Sequence, residues 1–326
     1  MTSVQLIIGL VLLLGGGEAM VKGSVAVAKR LGVSPLLIGL TLVGFGTSTP
    51  ELVASLRAAL IGAPGIAIGN VVGSTIANIL LILGLSAVLF PLATTKEAFR
   101  RDGAVLMGAS LLMLATVLLG RIGRAAGLLF LGLLAAYTVC TYLAERRTHH
   151  AAARMREAEA EDAMPGRELP MWAGALLAVG GIAAVVVGAD LLVGAAIEIA
   201  SAAGLSEATI GLTLVAVGTS LPELVTSVMA AIRRHADVAF GNIVGSSIFN
   251  ILGIAGLTAA VSPIPVPPEI AVLDVWIMIA AVLLLVLFAA TGWRLERWEG
   301  GAFLAAYVGY LLVQLAPSVR ASLGLV

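Results

Sequence analysis

One segment of the chain occurs twice, and this duplication constrains the fold more than any other feature. Of the 51 positions from Ser34 to Gly84, 29 are identical to the position 172 residues further on, without a gap. Each copy carries a Gly-Thr-Ser-x-Pro-Glu motif, at 46–51 and 218–223, and then a Gly-Asn-x-x-Gly-Ser-x-x-x-Asn motif, at 69–78 and 241–250. A fold for this chain must therefore contain two similar units.

Composition places both units in a membrane. The chain is 60% hydrophobic and 12% charged, with a mean hydropathy of +1.08, whereas soluble domains are about 25% charged. The alternating pattern of barrel strands is absent. The sequence therefore predicts an all-α integral membrane protein with ten transmembrane helices of about 20 residues each. The predicted helices are 4–28, 34–61, 66–90, 103–120, 123–144, 171–200, 206–232, 237–262, 270–290 and 300–317.

A polar segment at residues 145–170 divides these helices into two sets of five. We predict a first five-helix repeat over 1–144, a linker over 145–170 and a second five-helix repeat over 171–326. Because five is an odd number, the second half enters the membrane from the opposite side. The halves are therefore predicted to be inverted repeats, an architecture that transporters use for sites near the membrane midplane.

The placement of Lys and Arg residues predicts the orientation. With the N-terminus outside, fourteen of these residues fall in loops on the inner side and four on the outer side. Cytoplasmic loops carry such an excess. We expect a multi-pass protein of the inner (cytoplasmic) membrane with both termini outside and the central linker in the cytoplasm.

A proline in each first motif, Pro50 or Pro222, is expected to break the second and the seventh helix. Proline lacks an N–H group and crowds the carbonyl four residues before it, so the carbonyls of Gly46 and Gly218 should be released. Broken helix is tolerated in a bilayer where it lines a cavity, and freed carbonyls can coordinate cations there.

The motifs supply a candidate site made entirely of oxygen ligands. Carboxylates inside a membrane are costly, which favours a function for the two motif glutamates. The set contains no histidine or cysteine, which disfavours zinc and copper, whereas a hard cation such as Ca²⁺ prefers six to eight oxygens. The candidate side chains are Glu51, Glu223, Thr47, Ser48, Ser74, Asn78, Thr219, Ser220, Ser246 and Asn250.

Other interpretations of these residues are open. Without a cation the two carboxylates would repel and one would tend to take a proton, so a proton-coupled cycle is possible. The hydroxyls could bond to backbone carbonyls, and the asparagines could join helices. Asn70 and Asn242 could brace the broken helices or contact the ion. A channel is a different class, which would conduct without a counter-ion. No nucleophile–base pair or nucleotide motif indicates an enzyme, and no cofactor is expected.

The two motifs, present in both halves, resemble the α-repeats of the cation/Ca²⁺ exchanger superfamily, especially those of prokaryotic sodium/calcium exchangers. The resemblance implies an antiporter that exchanges Ca²⁺ for Na⁺ at a site between helices 2, 3, 7 and 8. It implies the ten side chains above as ligands, with the backbone carbonyls of Gly44 and Ala216. Potassium-dependent relatives place Asp where this chain has Asn250, which weakens the case for potassium transport. The expected partners are Ca²⁺, Na⁺ (or H⁺) and the lipid bilayer, with no nucleic acid, and the expected transport unit is a monomer.

Four further residues carry expectations. Glu18 either lines the access path or forms an ion pair with Lys22, four residues later. Asp190, the counterpart of Glu18 in the second repeat, has no local partner. Asp274 is expected at the membrane interface, and Cys140 is expected to be buried as a small apolar residue.

Overall fold

The computed structural model describes residues 2–31, 45–93, 96–148, 169–232, 236–290 and 292–316. These residues fold almost entirely into helices, with four two-residue strands. The helices are α1 (Thr2–Arg30), α2 (Thr49–Leu60), α3 (Pro64–Leu89), α4 (Lys96–Leu118), α5 (Arg124–Thr148), α6 (Met171–Ala203), α7 (Glu207–Thr219 and then Leu221–Ile232), α8 (Ala236–Ile248, continuing to Val261), α9 (Ile270–Asp274, continuing to Ala290) and α10 (Arg297–Leu315). The strands are β1 (Leu92–Ala93), β2 (Arg121–Ile122), β3 (Ile264–Pro265) and β4 (Arg294–Leu295).

The prediction of an all-α membrane protein is confirmed. Within the described residues, seven helices are long and apolar enough to cross a membrane, or eight if the bent α7 counts as one span. Each of the ten predicted stretches contains helix, although residues 34–44 lie outside the described part. Predicted ends are less accurate: α4 begins at Lys96 rather than at 103, and α5 continues to Thr148, into the predicted linker.

The short strands show that the two halves are inverted. Strand β1 pairs with β4, and β2 pairs with β3. One helix of 23 residues, α4, separates β1 from β2, and its length of about 35 Å places these strands on opposite membrane faces. Because β3 shares a face with β2, it lies opposite β1. Yet β3 is the counterpart of β1, since Leu92 and Ile264 are 172 residues apart.

Helices α1 and α6 pack against each other through glycines. A Cβ atom on Gly16 would lie 2.9 Å from the carbonyl oxygen of Gly181, and a Cβ on Gly9 would lie equally close to that of Gly188. The paired residue numbers have a constant sum, so the helices are antiparallel. Small residues allow such close backbone contact between membrane helices. The glycine pairs are Gly9 with Gly188, Gly16 with Gly181, and Gly23 with Gly174.

A buried carboxylate joins the last two helices of the second repeat. Asp274 is 1% exposed, so neighbouring helices cover it at its position near the start of α9. It accepts hydrogen bonds from Tyr310 Oη, at 3.0 Å, and from the side-chain amide of Gln314. The first repeat has a related contact, since Tyr137 Oη donates to Asp102 at 3.2 Å. Tyrosine–aspartate contacts therefore join α4 to α5 and α9 to α10.

The expectations for Glu18, Asp190 and Cys140 had different outcomes. Lys22 Nζ lies 2.5 Å from Glu18 Oε1, which confirms the ion pair. Asp190 does have a partner, because it forms an ion pair with Arg57 of α2, far away in sequence. The expectation for Cys140 was wrong, since its side chain is exposed on α5.

Candidate cation site

In each first motif the backbone departs from helical geometry at the serine that lies two residues before the proline. Ser48 and Ser220 have nearly identical backbone angles, with φ of −85° and −83° and ψ of 10°. At Ser220 the axis of α7 bends by 49°. One expectation was wrong: the carbonyl of Gly46 is not released, because it accepts a hydrogen bond from the backbone N–H of Thr49 at 3.2 Å. A tight turn thus replaces the helical bond that Pro50 cannot make.

The breaks bring the two glutamates together in the interior. Glu51 is 1% exposed and Glu223 is fully buried. Ser48 Oγ donates to Glu223 Oε1 at 2.6 Å, and Ser220 Oγ donates to Glu51 Oε1 at 2.8 Å. Both carboxylates thus lie in one buried region, where two ionised groups would repel each other. Each repeat therefore supplies one carboxylate and the serine that orients the carboxylate of the other repeat.

Asn70 braces the first glutamate. Its amide nitrogen donates to the backbone carbonyl of Glu51, at 3.1 Å, and to Ser55 Oγ, at 2.8 Å. Its amide oxygen lies 3.2 Å from Thr219 Oγ1 and 3.4 Å from Ser74 Oγ. The structure thus gives Asn70, which the sequence left open, the geometry of a brace. A signal existed in the sequence, since Ser55 and Asn70 recur together 172 residues later.

Several buried polar atoms around the glutamates have no hydrogen-bond partner among the described residues. A buried polar group without a partner costs about 1–3 kcal/mol, so a cluster of them needs an explanation. Thr47 Oγ1 and Ser246 Oγ lie beside the Glu223 carboxylate without a hydrogen bond of normal geometry. The unpartnered atoms are Thr47 Oγ1, Ser246 Oγ, Glu51 Oε2, Glu223 Oε2, and both polar atoms of the Asn78 and Asn250 amides.

The remaining candidate positions differ in what they contact. The carbonyl oxygen of Ala216 accepts a hydrogen bond from the backbone of Ser220 at 3.1 Å and lies 3.4 Å from Ser74 Oγ. The hydroxyl of Thr219 is shared, since it also lies 2.9 Å from the carbonyl of Val215. Gly44 lies outside the described residues.

Both second motifs end in a π-helical segment, which the sequence did not predict. Asn78 lies in the segment Ala77–Leu83 of α3, and Asn250 lies in the segment Phe249–Ala255 of α8. A π-helical turn changes the direction of the side chains that follow it and often occurs at functional sites. Both amides are buried, with exposed fractions of 0% and 1%. We infer that the π segments set the direction of these two side chains.

This arrangement suits a hard cation. It offers two carboxylates, hydroxyls and amide oxygens that come from both repeats and are buried in the interior. Two ionised carboxylates in a low-dielectric interior repel strongly, and a divalent cation between them would remove that repulsion. The free lone pairs of the unpartnered oxygens could then complete its coordination shell.

Comparison with known proteins agrees with a cation-binding site. The sodium/calcium exchanger protein family matches residues 2–143 and 173–316. Sodium/calcium exchanger MaX1 of Methanosarcina acetivorans is 37% identical over 339 residues, which cover 94% of this chain and 97% of that protein. Inner membrane protein YrbG of Escherichia coli is 33% identical over 316 residues, which cover 95% of this chain and 94% of YrbG.

The fold has a solved counterpart. A structure of the sodium-calcium exchanger NCX_Mj superposes with a TM-score of 0.61 at 32% identity. The superposition covers 95% of this chain and 97% of that one. The similarity therefore spans both repeats.

Proposed function

The chain belongs to the sodium/calcium exchanger family, and on that premise we propose that it exchanges Ca²⁺ for Na⁺ by alternating access at the buried site. The family consists of transporters, so the chain is a transporter and not an enzyme. The proposal is carried mainly by Glu51 and Glu223. Each is buried, with one carboxylate oxygen held by a serine of the opposite repeat and the other without a described partner.

Charge balance explains why exchange is the natural activity of such a site. Two ionised glutamates match one Ca²⁺, and removal of that ion would leave two adjacent buried negative charges. The site can give up Ca²⁺ at low cost only if other cations replace it. Na⁺ can do this, since it also prefers oxygen ligands. The transported ions are therefore Ca²⁺ and Na⁺, and no cofactor takes part.

The proposed ligands are the unpartnered oxygens and their neighbours. Glu51 and Glu223 bind the divalent ion, and the hydroxyls and amides complete the shell. Backbone carbonyls at Gly44 and Ala216 are proposed as further ligands. The side chains in supporting roles are Thr47, Ser48, Ser74, Asn78, Thr219, Ser220, Ser246 and Asn250.

Proton coupling is the second candidate, and the mutual repulsion of the two carboxylates favours it. A proton on one glutamate would remove that repulsion as a cation does. In this scheme Ca²⁺ leaves the site as H⁺ enters it. The fold and the site are the same, and the two candidates differ in the counter-ion alone.

The proposal includes the placement of the chain in the cell. The two five-helix repeats, 1–144 and 171–326, lie in the cytoplasmic membrane, with the linker 145–170 in the cytoplasm and both termini outside. One chain contains both halves of the site, since each glutamate is held by a serine of the same chain. The transport unit is accordingly a monomer.

Uptake of ⁴⁵Ca into proteoliposomes loaded with Na⁺ tests the proposal. Uptake should require the outward Na⁺ gradient and should be abolished by Glu51→Gln and by Glu223→Gln. Glu18→Gln is the matched control, because this glutamate is exposed and pairs with Lys22. Uptake driven by a pH gradient without Na⁺ would favour proton coupling. Wild-type uptake by both site variants would contradict the site, and current without any counter-ion would indicate a channel.

A further inference from the structure

The polar contacts around the site differ between the two repeats. From this difference we infer that Asn70 and Asn242 are alternating clasps, each of which ties its own repeat to the other repeat in one access state. The inference rests on the proposed alternating-access function and names the side chains that report and stabilise each state.

The Asn70 clasp is closed. Asn70 is fully buried and contacts three helices. On α2 it holds the backbone of Glu51 and the hydroxyl of Ser55, at 3.1 and 2.8 Å. On its own helix it contacts Ser74, and on α7 it lies 3.2 Å from the hydroxyl of Thr219. The last contact crosses from the first repeat to the second.

The Asn242 clasp is half made. Repeat symmetry assigns it the partners Ser227, Ser246 and Thr47. The Asn242 amide donates to Ser227 Oγ at 3.0 Å, which copies the Asn70–Ser55 bond. The other two hydroxyls have no hydrogen-bond partner among the described residues, and they lie beside the carboxylate of Glu223 instead. The part of the clasp that would cross between the repeats is therefore open.

Close helix packing accompanies the closed clasp. A Cβ atom on Gly73 would lie 2.5 Å from the carbonyl oxygen of Leu212, so α3 and α7 are in close contact there. At Gly245, the counterpart of Gly73, no described atom lies within 4 Å of such a Cβ. The counterpart of Leu212 is Leu40, which lies outside the described residues. The closed clasp thus coincides with close packing between α3 and α7.

The inverted topology turns this difference into a switch. Asn70 and Asn242 lie in the first halves of α3 and α8, which begin on opposite faces of the membrane. Closing the Asn70 clasp seals the site from the face where α3 begins. In the opposite state, symmetry closes Asn242 onto Thr47 and Ser246 and opens the contact between Asn70 and Thr219. A ligand-dependent preference for one clasp would then shift the equilibrium between the states.

Hydrogen–deuterium exchange on the full-length protein in lipid nanodiscs tests the inference. The variants are Asn70→Ala, Asn242→Ala and the double variant, and the segments compared are 64–76 and 236–248. Asn70→Ala should raise exchange in 64–76 about fivefold, the factor that corresponds to one net hydrogen bond of about 1 kcal/mol. Asn242→Ala should not raise it, because the contacts that this variant removes are the bond to Ser227 within the second repeat and the cross-repeat contacts of the opposite state. The double variant should return exchange in 64–76 towards the wild-type rate.

Three results would overturn the inference: equal increases in 64–76 for both single variants, no increase for Asn70→Ala, or an increase in the double variant as large as that in Asn70→Ala. Should Asn70→Ala fail to fold, Thr219→Val removes the cross-repeat contact with little change of shape, and Thr47→Val is its matched counterpart. The same opposite effects are expected for these two. Hydrogen–deuterium exchange does not depend on ion transport, so a failed transport assay would not affect the test of the clasps. Normal transport with equal exchange effects would reject the clasp alone.

Discussion

Ser48 Oγ donates a 2.6 Å hydrogen bond to Glu223 Oε1, across the boundary between the two repeats. Its counterpart, from Ser220 to Glu51, measures 2.8 Å. Each carboxylate is therefore oriented by the repeat that does not contain it. Neither repeat can form the site alone, and a change in the angle between the repeats must change both hydrogen bonds together.

Ser48 and Ser220, each of which bonds to the glutamate of the other repeat, should affect the affinity for Ca²⁺. We expect Ser48→Ala and Ser220→Ala each to raise the Ca²⁺ concentration for half-maximal transport about tenfold or more. A hydrogen bond to a charged group contributes about 1.5–3 kcal/mol, and each variant loses one. Ser110→Ala is the control, because that buried hydroxyl bonds to the carbonyl of Leu106 within its own helix. Half-maximal concentrations equal to that of the control would contradict a role for the serines.

A third carboxylate in the site should make the thermal stability of the protein depend more on bound cations. In Asn250→Asp a buried amide of the proposed site becomes acidic, so repulsion in the cation-free state increases. We expect a lower Tm without Ca²⁺ and a larger rise in Tm when Ca²⁺ is added, since an ion that binds the folded state more tightly stabilises it more. Thermal unfolding in detergent, with and without Ca²⁺, measures both. Asn78→Asp is the matched variant in the other repeat. A smaller Ca²⁺-induced rise than in the wild type would place residue 250 away from the ion.

Much of the site follows from local chemistry, which explains how far the sequence predicted it. Proline before Glu51 and Glu223 is incompatible with the interior of a regular helix, and a carboxylate in an apolar segment needs a polar neighbour. The predicted break is present in α7, α2 begins at Thr49 next to the other proline, and both glutamates are buried. The inverted arrangement followed from an odd helix count, which requires no knowledge of packing.

The features that the sequence did not reveal depend on contacts between distant helices. The ion pair between Arg57 and Asp190 joins residues that no spacing rule connects. Asp274 lies near a helix start, and its burial arises because Tyr310 of another helix covers it. The π-helical segments around Asn78 and Asn250 belong to this class too, since their sequences are compatible with ordinary α-helix.

The contact between α1 and α6 should tolerate no added methyl group. A Cβ atom on Gly181 would lie 2.4 Å from the backbone nitrogen of Met20, which forces the helices apart. Gly181→Ala should therefore destabilise the protein by roughly 1–3 kcal/mol, the usual cost of overpacking. Thermal unfolding in detergent measures this. Its neighbour Gly180 provides the control, because no described atom lies within 4 Å of a Cβ there. Equal Tm values for Gly181→Ala and Gly180→Ala would mean that the helices can separate without cost.

The ion pair between Arg57 and Asp190 should contribute to stability more than its counterpart within α1. Asp190→Asn leaves the Arg57 guanidinium of α2 without its counter-charge, whereas Glu18→Gln leaves Lys22, whose flexible side chain can extend to water. We expect Asp190→Asn to lower the Tm by roughly 2–4 °C, and Glu18→Gln to lower it by less than about 1 °C. Arg57→Met, which installs the residue found at position 229, should restore the Tm of the Asp190→Asn background, because the uncompensated charge is then removed. A double variant that is less stable than Asp190→Asn alone would show that Arg57 stabilises the helix through packing rather than through its charge.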